Sequence, residues 1–348
     1  MLGFRAVPDR SLDEILSSVS RSFYFSLAVL PRTLRSQLSG AYLVARAADT
    51  IADTRVIRPS RRIELLGGLR TAIADPPSIG PFVAEVHREM VSANDTAATP
   101  SERVLLERLG DCLHTLSQFD SGDLERTKKV LGTLITGMER DLTRFPDETQ
   151  LVALDSLADL DEHCYMAAGC VGEYWTVMTA AHIPAVRRLQ RPDFVARGVR
   201  LGKALQMVNV IRDAPADLRL GRCYIPRELL RLHQLEPEML RDPALRKRAR
   251  ALFAELRQRA LAHIDAALPY VISIPRTEPR LRLAALWPLW IGLGTLAHLR
   301  DDPDPLDPNR AIKIPRGELY RLLAESSAVV GSDTLLQRAH ARRRNAAT

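Results

Sequence analysis

Apolar residues recur every three or four positions along almost the whole chain, and no stretch alternates apolar with polar as a half-buried strand does. The pattern predicts helices over 13–30, ended by Pro31, and over 34–54 and 61–74. Pro76-Pro77 opens a connection, 92–100 reads as a polar loop, and Ser101 with Glu102 starts a further helix. Longer helices are predicted over 124–142, 154–181, 194–212, 241–268, 281–299 and 318–330. Residues 301–309 form an acidic, Pro-rich loop. No internal repeat and no linker is visible. A single all-α domain is therefore expected over 1–335, followed by a basic tail, 336–348, expected to be disordered. Acidic positions inside apolar helices suggest a central cavity instead of a filled core.

Composition narrows the partner. The chain of 348 residues carries a net charge of +7, which suits nucleic acid, an anionic membrane surface or an anionic small substrate. No zinc-finger spacing or basic-aromatic RNA motif is present, so nucleic acid is excluded and a phosphorylated substrate is favoured. Cys112, Cys164, Cys170 and Cys223 are scattered without a CxxC pair, as in a reduced, cytoplasmic protein. The first residues lack an apolar segment of signal-peptide length. The longest apolar run, 283–297, is broken by Pro288 and is too short to span a bilayer. Peripheral contact with the inner membrane face is expected through Arg338, Arg342, Arg343 and Arg344.

Two acidic pairs carry the chemistry. Asp49 and Asp53 lie four apart, so one helix face presents both, with Arg46 three residues before. Asn209, Asp213 and Asp217 form a second row at the same spacing, with Gln206 beside it and Arg212 and Arg222 adjacent. Like charges one turn apart destabilise a helix unless a cation lies between them. Mg²⁺ needs only one or two carboxylates when phosphate and water complete its shell, and arginine is suited to phosphate. Ser20-Arg21-Ser22-Phe23 adds phosphate-binding residue types at a helix. In Cys164-Tyr165-Met166-Ala167-Ala168-Gly169, small residues permit close approach and Tyr165 offers a hydroxyl for hydrogen bonding or proton relay.

These segments resemble the squalene/phytoene synthase family. The likeness rests on Ser20 to Phe23, on Tyr42-Leu43-Val44-Ala45-Arg46-Ala47-Ala48-Asp49 through Asp53, on Cys164 to Gly172, on Gln206 through Asp213, and on Gly221-Arg222-Cys223-Tyr224-Ile225-Pro226. Residues 137–142 are similar to the family's middle segment, and the likeness covers roughly residues 10–330. It implies an isoprenoid (terpenoid) synthase fold with a central active-site cavity, and head-to-head (1'-1) joining of two prenyl diphosphates. It also implies roles. Asp49, Asp53, Asp213 and Asp217 would hold Mg²⁺ with help from Asn209. Arg21, Arg46, Arg212 and Arg222 would bind diphosphate. Ser20, Ser22, Phe23, Tyr42 and Gln206 would line the substrate channel, and Tyr165 would handle a proton. Ala216 departs from the pattern, since many relatives carry Glu there; a weakened outer shell around the metal is expected, not loss of activity.

The product depends on how the last cation is quenched. Residues 287–296 and 311–318 look like the reducing, squalene-synthase branch, which makes Lys313 and Arg316 candidates for NADPH phosphate contacts. No GxGxxG fingerprint is present, so a Rossmann site is excluded. Squalene formation from farnesyl diphosphate is the expectation. Phytoene synthase, or a dehydrosqualene or hydroxysqualene synthase, is the alternative. A head-to-tail elongase is disfavoured because DDxxD is absent. A non-catalytic assembly relative is disfavoured because all four aspartates are present.

Overall fold

Capping residues and prolines set most helix ends in the computed structural model, which describes residues 10–20, 22–93, 99–146, 149–187 and 191–348. The expected all-α class holds: the one ladder among the described residues pairs β1 (Val152–Ala153) with β2 (Arg222–Cys223), in parallel. The chain divides into two compact units, 1–142 and 143–348, where the sequence suggested one domain.

The first unit contains α1 (Arg10–Val19), α2 (Phe23–Ala28), α3 (Arg32–Asp53), α4 (Pro59–Ala74), α5 (Ile79–Ala93), α6 (Pro100–Glu107), α7 (Leu109–Ser117) and most of α8 (Ser121–Arg144). The helix expected over 13–30 is divided between α1, which ends at Val19, and α2, which begins at Phe23. α3 buries Leu34, Leu38, Val44, Ala47 and Ile51 against its neighbours. Its opposite face carries the polar row, so one helix supplies both core and chemistry. α6 starts at Pro100, with Thr99 as its N-cap, not at Ser101. Thr99 N–H donates to Glu102 Oε2 at 2.7 Å, and Glu102 N–H donates to the Thr99 hydroxyl, forming a capping box.

The second unit contains α9 (Leu157–Cys164), a π-helical turn (Tyr165–Gly169), α10 (Cys170–His182), α11 (Pro184–Arg187), α12 (Pro192–Arg219), α13 (Arg227–Leu232), α14 (Arg250–Ser273), α15 (Pro279–Asp301), α16 (Arg316–Val329) and α17 (Asp333–Ala347). The continuous helix expected over 154–181 is thus entered through β1 and a Ser156–Asp159 capping box, and it is wound wider at 165–169. α12 crosses the π-turn and α10 at backbone contact. A Cβ on Gly172 would lie 1.9 Å from the Gly198 carbonyl oxygen, and one on Gly202 would lie 2.0 Å from that of Ala168. Only glycine permits this crossing. Gly221, with φ of 75°, then turns the chain from α12 into β2.

The tail contradicts the sequence expectation. Residues 333–347 are helical, and Leu336, Ala339, His340 and Ala347 are buried. Trp290 Nε1 donates to His340 Nδ1 at 3.3 Å, and the Arg343 guanidinium lies over the Trp290 ring at 4.7 Å. The tail reads as polar because its buried face is built from a single leucine, two alanines and one histidine. Arg342 and Arg343 pair with Glu325, and Arg344 pairs with Asp265. Three of the four arginines assigned to a membrane surface are therefore already engaged. No described helix is long and apolar enough to cross a membrane.

Candidate active site

In the first unit, Tyr42, Arg46, Asp49 and Asp53 follow the less buried face of α3 at helical spacing. Arg46 ion-pairs with Asp49 through Nη1 and with Glu102 through Nη2. Burial alone would lower the Arg46 pKa, but Asp49 and Glu102 outweigh it and the value is raised. Glu102 is likewise pushed up by burial, yet its hydrogen bonds to Thr99 and its pairing with Arg46 bring it below the usual carboxylate range. The sequence reading used Glu102 only as a helix start and gave it no part in the site. Its signal is the threonine three residues before it, which marks a cap but gives no hint of Arg46, 56 positions earlier.

Phe23 stacks on Tyr42 with ring centroids 5.5 Å apart, giving this half-site an aromatic edge. Ser22 is exposed just ahead of α2. Ser20 is buried and its hydroxyl donates to the Leu16 carbonyl, so it turns to its own backbone and not to a channel. Arg21 lies outside the described residues.

In the second unit, α12 continues through Pro215 to Arg219, which keeps Asp213 and Asp217 one turn apart on the same helix as Gln206 and Asn209. Arg212 binds Asp213 with two hydrogen bonds, Nε to Oδ1 at 2.7 Å and Nη2 to Oδ2 at 2.5 Å. Burial opposes the Arg212 charge, but Asp213 and Asp217 raise its pKa overall. Arg222, in β2, is half-buried.

A second polar line leaves this row. Asn209 Nδ2 donates to Gln206 Oε1 at 3.3 Å, and Gln206 Nε2 lies 3.1 Å from His163 Nε2. The His163 ring stacks on Tyr224 at 4.2 Å, and Phe145 packs edge-on against Tyr224 at 5.3 Å. His163 was missed in the sequence because it falls two residues before the tyrosine that drew attention. Tyr165 itself donates its hydroxyl to Glu173 Oε2 at 2.9 Å. The ring lies over Gly169, where a Cβ would meet Tyr165 Cδ2 at 3.0 Å. Burial and then the Glu173 carboxylate push the phenol up to about 12, so Tyr165 is neutral at physiological pH.

Lys313 and Arg316 are exposed at the start of α16 and make no ion pair among the described residues. The four cysteines are buried and unpaired with one another, and burial pushes each thiol up to about 12. They serve as small apolar side chains.

Among the described residues no three His, Cys, Asp or Glu side chains converge as a metal cage. The rows nevertheless fit Mg²⁺, which keeps several waters and takes one or two carboxylates beside phosphate. Asp49 and Asp213 keep 42% and 44% of their side-chain surface exposed, so their oxygens remain open beside the arginines that now balance them.

The comparisons decide the family. Residues 16–318 match the sequence model of the family described as squalene/phytoene synthase. This chain belongs to the squalene/phytoene synthase family. It is accordingly a prenyltransferase. Squalene synthase ERG9 of Candida albicans is 26% identical over 338 residues, covering 94% of this chain and 70% of that protein. Presqualene diphosphate synthase of Rhodopseudomonas palustris is 29% identical over 262 residues, covering 74% of this chain and 77% of that protein. The solved structure of TcSQS with the ligand E5700 superposes with a TM-score of 0.77 at 22% identity, covering 97% of this chain and 91% of that one. A dehydrosqualene synthase in complex with ligand superposes at 0.59 with 20% identity, covering 92% and 95%. These likenesses establish the all-α isoprenoid synthase fold.

Proposed function

We propose that this squalene/phytoene synthase relative joins two farnesyl diphosphates head to head, through presqualene diphosphate, to squalene. The observation that carries the reading is the duplicated half-site: Asp49 and Asp53 with Arg46 on α3, and Asp213 and Asp217 with Arg212 on α12. The reaction releases diphosphate twice, and each row has the charge pattern that diphosphate chemistry requires. The names of the Candida relatives support the same product.

Asp49 and Asp53 in one row, and Asp213 and Asp217 with Asn209 in the other, would hold Mg²⁺, which would supply charge to stabilise a departing diphosphate. Arg46, Arg212 and Arg222 bind the diphosphate oxygens, which requires Arg46 and Arg212 to share their present carboxylates with the metal. Phe23 and Tyr42 give an apolar wall that keeps water from the allylic cation. The double bond of the second chain attacks that cation. Loss of a proton from the joined carbon then leaves its electron pair to close the cyclopropane. Tyr165 accepts that proton as it passes its own to Glu173, so the relay starts and ends with a neutral phenol and neutralises one carboxylate. NADPH, when bound, supplies the hydride that ends the second ionisation. Lys313 and Arg316 fit its phosphates as exposed cations without acidic partners.

Replacing Asp213 with Asn is the direct test. Consumption of farnesyl diphosphate with Mg²⁺ should fall by about 10²-fold or more, the scale on which charge stabilisation of a transition state operates. Unchanged turnover would remove the role given to the second row. The Rhodopseudomonas relative favours a second reading in which the chain stops at presqualene diphosphate. NADPH would then leave the product unchanged.

A further inference from the structure

The amide pair between His163 and the second acidic row has a direction. Gln206 uses its oxygen to accept from Asn209 Nδ2, at 3.3 Å, and therefore turns its nitrogen to His163 Nε2, at 3.1 Å. An amide nitrogen only donates, so in this arrangement His163 Nε2 is the acceptor. The same direction fixes Asn209. With Nδ2 turned back toward Gln206, its Oδ1 is left as an acceptor, with no hydrogen-bond donor on it among the described residues. Oxygen, not nitrogen, is the atom a hard cation takes.

We propose that His163 is a positioning residue for the cation row: acting through Gln206, it holds the Asn209 amide by its nitrogen and leaves the oxygen as the open acceptor. The inference rests on the cation role proposed for Asn209, Asp213 and Asp217. The ring is built to stay in place. α9 is anchored at its start, where Leu157 N–H donates to Glu228 Oε2 at 2.9 Å, and β1 ahead of it is tied down by Val152 N–H donating to the Gly221 carbonyl at 2.9 Å. Tyr224 covers one face of the imidazole, and Phe145 holds Tyr224. Two rotatable amides would otherwise be free to flip and offer the cation an N–H₂ group. An acceptor at the far end removes that freedom, much as outer partners orient the ligands of metal sites.

The test is Mn²⁺ binding to the purified full chain in the presence of inorganic diphosphate, followed by electron paramagnetic resonance. His163→Phe keeps the stack on Tyr224 and removes the acceptor. It should weaken Mn²⁺ binding by about tenfold, the low end of the effect of losing an outer metal partner. His163→Gln restores an acceptor oxygen and should recover most of the loss. Gln206→Leu breaks the same link from the other side and should match His163→Phe, and the double variant should be no worse than either single. Wild-type Mn²⁺ affinity in His163→Phe, with Asn209→Ala still weakened, overturns the inference and leaves the cation role standing. Equal weakening in His163→Phe and His163→Gln, with Gln206→Leu unaffected, reduces His163 to a packing residue and also overturns it. If Asn209→Ala and Asp213→Asn both bind as wild type, the cation reading itself fails.

Discussion

At the scale of single residues, the two rows share a device: in each, the first aspartate expected to meet metal is already balanced by an arginine in its own unit. Asp49 shares Arg46 with Glu102, and Asp213 is held by Arg212. Glu102 makes this measurable. Its folded pKa lies below that of an ordinary glutamate. Its contribution to stability is therefore complete above the unfolded carboxylate range and is lost as pH falls through the depressed folded value. Thermal melts between pH 3 and 7 should show an acid limb that is shallower in Glu102→Gln; an identical limb would show that the carboxylate carries no such linkage. The aspartates were legible because i, i+4 spacing on a helix is local information. Glu102, Glu173 and His163 were not. Glu102 meets its arginine across 56 positions, and His163 meets Gln206 across 43, distances that no periodicity encodes. Glu173 meets Tyr165 only because the π-turn and the bare Gly169 let the ring lie along the helix.

At the scale of elements, the α12 crossing and the tail carry predictions. Gly172→Ala and Gly198→Ala place a methyl group against backbone or the Thr176 hydroxyl, where flexible side chains cannot yield. Each should cost about 1–3 kcal/mol, or more if the helices separate, and the melting temperature should fall accordingly. A neutral result would mean that the helices do not touch there. Burial holds His340 down to about 4. The unfolded chain thus binds a proton that the folded chain refuses, so stability is complete above about pH 6.5 and falls as pH drops toward the folded value. The loss is on the order of 3 kcal/mol. Trp290 fluorescence should follow it, and His340→Phe should remove it. A wild-type pH profile in His340→Phe would place the titration elsewhere. Most of the long helices were legible because their apolar stripes are long, but α5 and the tail helix were not. Leu336 is the one large aliphatic residue on its buried face, and the rest of the docking comes from His340 against Trp290 and from Arg343 over the same indole.

At the scale of the whole molecule, the family assignment and the duplicated acidic rows agree on prenyl transfer. They leave the product to the quench of the last cation. The all-α class was readable from periodicity, and the family was readable from motifs whose charged residues stand in apolar helices. The division into two units was not readable, since the boundary falls inside the continuous helix α8 and not in a linker. Lys313→Ala with Arg316→Ala should raise the NADPH concentration for half-maximal squalene formation about tenfold, while formation of presqualene diphosphate stays unchanged. An unaltered NADPH response would remove the cofactor role from these two side chains. The most direct test of the central claim is to incubate the purified chain with Mg²⁺ and farnesyl diphosphate, with and without NADPH, and to identify the products by mass spectrometry. The account predicts presqualene diphosphate without reductant and squalene with it. Unconsumed substrate, or only head-to-tail or cyclised products, would contradict it.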